Sequence, residues 1–274
     1  MIGRGLEALR SAICRGLICA TALAGLQAGA VHAATAADVD SPFGSDWLML
    51  VMTVNTDPAQ EKAFNDWYDH VDIPDVLRVP GYVRARRGEE QATSPDSPPT
   101  RYLALYDIKS RNIDRTIIDM LMASWGMEKA HRSTDLLRVT ERIYYRLNGP
   151  IYRAPVRAPA AISRYLYTVR YECCGDEAAR RAFERWYRHT YIEPARAAPA
   201  IRSVASYRLY RVLMDHPPEV PAFLTVVEIE ADSRERALAS IRALEATALE
   251  HAEITPMRAA SRSIFLELSD VSGS

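Results

Sequence analysis

The stretch FNDWYDHVDIPDVLRVPGYVRARR, which runs from Phe64 to Arg87, decides the fold of this chain. A weaker copy, FERWYRHTYIEPARAAPAIRSVASYR, returns at 183–208. The residues that recur at one common offset are Phe64/Phe183, Trp67/Trp186, Tyr68/Tyr187, His70/His189, Ile73/Ile192 and Pro80/Pro199. A spacing shared by so many positions indicates an internal duplication, so each half of the chain is expected to form the same unit.

The first half has predicted strands and helices in the order β-α-β-β-α-β. A continuous apolar run at 47–54 predicts a buried strand. Phe64, Trp67 and Tyr68 follow the spacing of one helix face, and Pro74 is expected to limit that helix. The other predicted elements are strands at 82–87, 102–108 and 142–147, a polar hairpin loop at 88–100 and a helix at 112–131.

The second half repeats this order. Its predicted elements are strands at 165–171, 201–210, 222–229 and 263–268 and helices at 177–191 and 233–251. The order is that of the ferredoxin-like unit. Because helices on one side of a four-stranded sheet leave its other face apolar, that face must be buried. We therefore predict an α+β fold in which two tandem ferredoxin-like βαββαβ units pack sheet to sheet as a pseudo-dimeric barrel.

The first 33 residues have the pattern of a secretory signal. Arg4, Arg10 and Arg15 precede an apolar run at 16–30, and small residues follow it at 31–33. The run is too short to span a bilayer as a helix, and a buried N-terminal helix is the alternative. We predict a periplasmic or secreted protein. The predicted divisions are a signal peptide at 1–33, a flexible leader at 34–46, repeat 1 at 47–148, a linker at 149–163, repeat 2 at 164–268 and a tail at 269–274.

Composition excludes some classes of partner and chemistry. The chain has 274 residues, of which 48% are hydrophobic, and its formal net charge is −1, so no electrostatic case exists for nucleic acid or an anionic membrane. The sequence has no serine-nucleophile, phosphate-loop, dinucleotide-binding or C-x-x-C motif, and its histidines lack metal-ligand spacing. We predict neither a cofactor nor a metal. After signal removal, the adjacent Cys173-Cys174 pair either forms a vicinal disulfide or is a buried apolar pair.

The run WYDHVDIPDVLRVPGYVRARR resembles the dimeric α/β-barrel superfamily, and within it the EthD-like proteins. The matching residues are Trp67, Tyr68, Asp69, Ile73, Pro74 and Asp75, then Val79, Pro80, Gly81, Ala85 and Arg87. The resemblance implies the barrel fold but leaves the reaction open, since the superfamily includes monooxygenases, cyclases, isomerases and haem enzymes. The signature histidine of the family aligns with Asp72 in the first copy and Tyr191 in the second, and both copies carry a histidine two residues earlier.

The candidate catalytic residues lie on the first helix of each half. On a regular helix, His70 projects to one flank of the core stripe and Asp72 to the other. His70 could reach a cleft between helix and sheet as a proton acceptor, with Asp72 as its carboxylate neighbour and Tyr68 as a donor. His189 is the equivalent histidine, and Tyr191 is a possible acid. The alternative is a pair of half-exposed helical histidines kept through duplication.

The candidate substrate-binding residues are aromatic or basic. Trp67, Trp186 and Tyr187 could line a pocket for a flat apolar ligand, or could belong to the core. Arg86 and Arg87 alternate on a strand, so one of them faces the barrel interior or cleft and could hold a carboxylate or enolate. The alternative is a solvated charge on an edge strand.

We therefore predict a small-molecule-binding barrel that acts on an aromatic or polyketide-like compound as a cofactor-independent isomerase, cyclase or lyase. A non-catalytic binding or scavenging protein is the alternative, and a haem-binding or oxidative enzyme is a third. The predicted partner is a small apolar or aromatic ligand, with no nucleic acid and no integral membrane segment after signal removal. The protein is expected to be either a monomeric pseudo-dimer or a homodimer.

Overall fold

The computed structural model describes residues 46–90, 100–155, 163–172, 176–213, 220–249 and 258–273. The predicted signal peptide, the Cys173-Cys174 pair and part of the predicted linker lie outside these ranges. The described strands are β1 (Trp47–Asn55), β2 (Tyr82–Glu90), β3 (Arg101–Ile108), β4 (Leu137–Leu147), β5 (Tyr152–Arg153), β6 (Ser163–Glu172), β7 (Ile201–Val212), β8 (Phe223–Ala231) and β9 (Arg258–Ser272).

The strands form one closed antiparallel barrel. Their order is β4-β1-β3-β2-β9-β6-β8-β7, and β7 returns to pair with β4, while the short β5 lies against β7. The predicted α+β barrel is confirmed. The prediction of two sheets that only face each other is incomplete, because β2 pairs with β9 and β4 with β7. These pairings satisfy backbone groups that four open sheet edges would leave exposed.

The barrel interior is filled by apolar side chains from both halves. Its buried residues include Leu48, Leu105, Leu166, Leu224 and Phe265. Two further buried clusters lie outside the barrel, one in each half, between the sheet and its helices. Because successive side chains of a strand point to opposite faces, each half contributes side chains both to the barrel interior and to its own helix-covered core.

The helices cover the outer faces of the barrel. They are α1 (Glu61–Trp67), α2 (Ile73–Leu77), α3 (Ile113–Lys129), α4 (Glu177–Tyr187), α5 (Glu193–Ala197) and α6 (Arg234–Leu249). A π turn joins α1 to α2 at Tyr68–Asp72, and another joins α4 to α5 at Arg188–Ile192. Among the helices that the structure describes, none combines the length and apolar character needed to cross a bilayer.

The π turns explain why the helical segment does not stop where Pro74 was expected to limit it. In the first turn the N–H of Ile73 donates to the carbonyl of Tyr68, five residues back. This shift places Pro74 in the first turn of α2, where a missing N–H is tolerated. Pro194 has the same place in α5.

Three strands, β2, β4 and β9, extend well beyond their predicted bounds. The prediction of a loop that begins at Gly88 is wrong, because β2 continues to Glu90 and Gly88 pairs with Leu103 and Glu267. The last strand of each half is also longer than its apolar run, since β4 begins at Leu137 and β9 continues to Ser272. The added residues pair with a neighbouring strand, β1 in one case and β2 in the other. Backbone hydrogen bonds therefore extend these strands where the side-chain pattern does not predict a strand.

Candidate functional site

The helix-covered core of the first half contains a group of polar side chains. It lies between the π turn at 68–72 and the outer face of the sheet formed by β4, β1, β3 and β2. We call it the Asp72 cluster, and its members are Tyr68, Asp72, Tyr106 and Arg142. Tyr68 and Asp72 come from the two ends of the π turn, and the other two come from β3 and β4.

Asp72 is the titratable centre of this cluster. The hydroxyl of Tyr106 donates to Asp72 Oδ2 at 2.9 Å. Burial raises the pKa of Asp72 to about 6, although the Tyr106 hydrogen bond and the charge of Arg142 act in the opposite direction. Burial, and after it the charge of Asp72, raise the pKa of Tyr68 and Tyr106 above 10. The cluster therefore combines a carboxylate that titrates near neutral pH with two phenols that stay protonated.

Arg142 supplies a positive charge to this cluster. Its charge lowers the pKa of Tyr68, Asp72, Tyr82 and Tyr144, so its guanidinium lies near all of them. The side chain is half-buried, and it makes no hydrogen bond or ion pair with another residue in the described ranges. Sequence reasoning missed it. The available signal was its place two residues before Tyr144 on β4, which puts both side chains on the helix-covered face.

Buried phenols extend the site along the sheet. The hydroxyls of Tyr82 and Tyr144 lie 3.0 Å apart, and that of Tyr82 also lies 3.6 Å from the sulfur of Met49. Burial raises the pKa of both phenols, so both are neutral hydrogen-bonding groups near pH 7. Together with Met49 they form an aromatic and polarisable part of the helix-covered core, in which Tyr82 packs edge-on against Tyr106.

Arg87 lies in the same core but is engaged by the protein itself. Its guanidinium carbon is 4.5 Å from the ring centre of Tyr68 and 4.9 Å from that of Tyr102, and the side chain is fully buried. It donates to the side chains of Asn65 and, at 3.4 Å, Asp69. These contacts tie α1 to β2, so Arg87 has a structural role here rather than an open ligand-binding face.

Arg86 points to the other side of the sheet, into one end of the barrel. It donates to Asp107 Oδ1 and Glu228 Oε1, both at 2.6 Å, and its side chain is 4% exposed. Arg84 donates to Asp270 at 2.7 Å and to Glu228 at 3.2 Å. Although burial alone would raise it, the charges of Arg86 and Arg84 hold the pKa of Glu228 at about 2. Arg86 therefore belongs to an internal ion-pair network.

The two paired histidines lie on the solvent side of their helices. His70 is exposed, and its Nδ1 is 2.9 Å from the carbonyl oxygen of Asp66, to which it donates. His189 is also exposed, and its Nδ1 lies 3.1 Å from Glu193 Oε2. The structure therefore brings Tyr68 and Asp72 together and leaves His70 outside their cluster. The side chain of Tyr191 is not among those described.

The predicted aromatic residues belong to the cores. Trp67 packs edge-on against Tyr68, and its indole N–H donates to the carbonyl of Arg132 at 2.7 Å. Trp186 packs edge-on against Tyr171, with ring centres 5.1 Å apart, and Tyr187 stacks on Phe183. The helix-covered core of the second half has a polar group of its own, in which the hydroxyl of Tyr167 donates to Glu245 Oε1 at 3.0 Å and Arg262 donates to the same oxygen at 3.5 Å.

An open cleft lies elsewhere, in the second half. It has a volume of about 810 Å³ and is formed by residues 150–155 and by the π turn that leads into α5. Three arginines line it, Arg153, Arg188 and Arg196. Within the described ranges, no group of three or more His, Cys, Asp or Glu side chains is arranged to hold a metal ion.

Comparison with known proteins shows the fold but not the reaction. No protein-family model and no curated protein sequence matches the chain. The structure is similar to that of a candidate monooxygenase from Fusobacterium nucleatum, with a TM-score of 0.53 and 9% identity over 83% of this chain and 95% of that one. It is also similar to an anthrone oxidase-like protein, with a TM-score of 0.50 and 13% identity over 84% of this chain and 94% of the other. The chain therefore shares with these two structures the fold of an antiparallel barrel covered by helices.

Proposed function

We propose that the protein is a cofactor-independent isomerase, cyclase or lyase that moves a proton on a small aromatic or polyketide-like compound. The observation that carries this proposal is the half-buried carboxylate of Asp72, hydrogen-bonded by Tyr106, with a pKa of about 6. A general base works best when its pKa lies near the working pH. Asp72 takes the role of base that was predicted for His70, because His70 lies on the solvent side of the helix.

The chemistry assigns one role to each member of the cluster. Asp72 accepts the proton from a carbon next to a carbonyl group, and the bonding electrons move to the carbonyl oxygen as an enolate. Arg142 and the phenol of Tyr68 then stabilise the negative charge on that oxygen. Tyr106 holds the carboxylate in place through its hydrogen bond. The protonated Asp72 returns the proton at a second carbon in an isomerisation, or to a leaving group in an elimination.

The surroundings of the cluster support an aromatic ligand. A flat ring bound beside Asp72 would pack against an aromatic wall of Tyr82, Tyr144 and Met49, which are buried in the core that also holds Tyr106. Two solved structures with a similar fold are an anthrone oxidase-like protein and a candidate monooxygenase. For this chain, the proposal of an aromatic ligand depends on these buried phenols.

Two other functions are compatible with the same fold. A non-catalytic binding or scavenging protein would use the same aromatic wall and would leave Asp72 as a hydrogen-bonding group. A haem enzyme needs an axial ligand that faces the haem site. Among the described residues, His70 and His189 do not fit that role, since both rings lie on solvent-exposed helix faces and are engaged by Asp66 and Glu193.

We further propose that the two halves are duplicated ferredoxin-like units of EthD-like type and that the protein is exported after removal of residues 1–33. The shared offset of the two Trp-Tyr motifs supports the duplication, as does the equivalent strand order of each half, β4-β1-β3-β2 and β9-β6-β8-β7. The basic and apolar pattern of the N-terminus supports export. Mass spectrometry of the protein from a periplasmic extract would test it, because intact residues 1–33 would contradict the proposal.

Turnover of a panel of anthrones, naphthols and polyketide-like ketones tests the proposed reaction. The Asp72→Asn variant keeps the shape and the acceptor for Tyr106, so it should bind the substrate and lose at least about a hundred-fold in turnover. Asp66→Asn, at an exposed position six residues earlier, is the matched control and should keep full activity. Loss of activity in Asp66→Asn and not in Asp72→Asn would refute the assignment. Binding of panel members without turnover by the parent protein would favour the binding function.

A further inference from the structure

The cleft in the second half has a rim of guanidinium groups over an apolar floor. Arg153, Arg188 and Arg196 are exposed and line its rim. Ile151 and Ile192, both buried residues, lie at its base. A ligand in this cleft would therefore meet positive charge at one side and hydrocarbon at the other.

The π turn places these groups together. The N–H of Glu193 donates to the carbonyl of Arg188 in an i to i+5 hydrogen bond. Arg188, Ile192 and Arg196 follow at intervals of four residues, and all three line the cleft. Extra residues of this kind in a helix occur frequently at functional sites.

The charge of the cleft remains positive after its own carboxylate is counted. Glu193 is the acidic residue of the lining, and its Oε2 lies 3.1 Å from Nδ1 of the exposed His189. The guanidinium groups of Arg188 and Arg196 form no hydrogen bond or ion pair with another residue in the described part of the chain. Two guanidiniums are thus available to an external anion.

We propose that this cleft binds an organic oxyanion, namely a carboxylate or phosphate ester carried on a flat apolar body. Guanidinium forks match the paired oxygens of both groups, and the isoleucine floor favours an apolar body over a free inorganic ion. The volume of about 810 Å³ lies within the usual range of small-molecule sites. This site is on the opposite half of the chain from Asp72, so it does not depend on the proposed reaction.

Isothermal titration of the full chain with 2-naphthoate, 2-naphthyl phosphate, 2-naphthamide and inorganic phosphate tests the proposal. One or both organic anions should bind, and the neutral amide and inorganic phosphate should bind at least about ten-fold more weakly. The Arg188→Gln/Arg196→Gln double variant should weaken binding of the organic anion by roughly ten-fold or more. Arg181→Gln/Arg185→Gln removes the same charge from exposed positions of α4 outside the cleft and should change affinity less than about two-fold.

The Arg188→Lys/Arg196→Lys variant separates fork geometry from charge and guards against misfolding of the glutamine variant. It should bind with intermediate affinity, because lysine keeps the charge and loses the bidentate fork. Equal losses in the α4 control and the cleft variant would overturn the proposal, since they would indicate diffuse attraction. Binding of the neutral amide as tightly as the acid, or no binding of either organic anion, would overturn it too.

Discussion

Glutamine at position 228 should destabilise the protein in a defined range of pH. The carboxylate of Glu228 accepts from Arg86 at 2.6 Å and from Arg84 at 3.2 Å inside the barrel end. The fall of its pKa from 4.5 to about 2 corresponds to about 3 kcal/mol of stability at neutral pH. Glu228→Gln should remove about 2–3 kcal/mol, because Arg86 then keeps Asp107 as its one close carboxylate partner among the described residues.

The sign of the pH dependence follows from the lowered pKa. A carboxyl group with a depressed folded-state pKa stabilises the fold above its unfolded pKa, and this stability is lost as the pH falls toward 2. The difference in free energy of unfolding between parent and Glu228→Gln should therefore be constant from pH 8 to about 5 and about 1 kcal/mol smaller at pH 4.

Urea unfolding followed by tryptophan fluorescence measures this difference at each pH. Glu184→Gln, on an exposed position of α4, is the control and should change stability by less than about 0.5 kcal/mol. A loss below about 0.5 kcal/mol for Glu228→Gln at pH 7, or a loss that grows toward pH 4, would refute the ion-pair account.

Three further substitutions test other parts of the structure. In urea unfolding, Asp72→Asn should raise the free energy of unfolding by about 1–3 kcal/mol at pH 8 and should leave it unchanged below pH 4. The reason is that the raised pKa of Asp72 makes its ionised form destabilising above pH 6. A stabilisation that is largest at pH 4 would contradict the raised pKa. Arg87→Met should lower the free energy of unfolding by about 2–4 kcal/mol, because the hydrogen bonds and ring contacts of the guanidinium are lost. No change in urea unfolding would show that the buried guanidinium does not stabilise the fold. Gly88→Ala places a Cβ 2.8 Å from that of Phe265 across the β2–β9 seam and should cost about 1–3 kcal/mol. In the matched control Gly126→Ala, on α3, the added Cβ meets nothing within 4 Å and should stabilise the protein by about 0.5–1 kcal/mol. Equal changes in stability for Gly88→Ala and Gly126→Ala would argue against close contact between β2 and β9.

The order of elements and the barrel could be predicted from the sequence, but the closure of the barrel could not. Apolar runs and the repeated Trp-Tyr motif carry strong periodic signals. The pairing of β2 with β9 and of β4 with β7 depends on backbone groups at strand edges, which leave no mark on residue choice. For the same reason the alternation of Arg86 and Arg87 predicted opposite faces without showing which face was the interior.

The site was predicted only in part. Asp72 and Tyr68 were predicted because they align with positions of a known helix signature. Arg142 was not predicted, because nothing in a short strand of mixed residues separates a half-buried cation from a solvated one. The position of His70 was projected with the angle of a regular helix, but the π turn begins at Tyr68 and breaks that phase. The π turn thus directs His70 further toward solvent and directs Asp72, which is half-buried, toward the core.

The proposed reaction depends most on the raised pKa of Asp72 in the first half. Carbon-detected NMR titration of the aspartate carboxyl groups, with the Asp72 signal assigned by its loss in Asp72→Asn, measures that pKa directly. We expect a midpoint near 6, which should rise in Tyr106→Phe. A midpoint at or below 4 would contradict it, since such a carboxylate would be solvated and would lack the basicity that the proposed proton transfer requires.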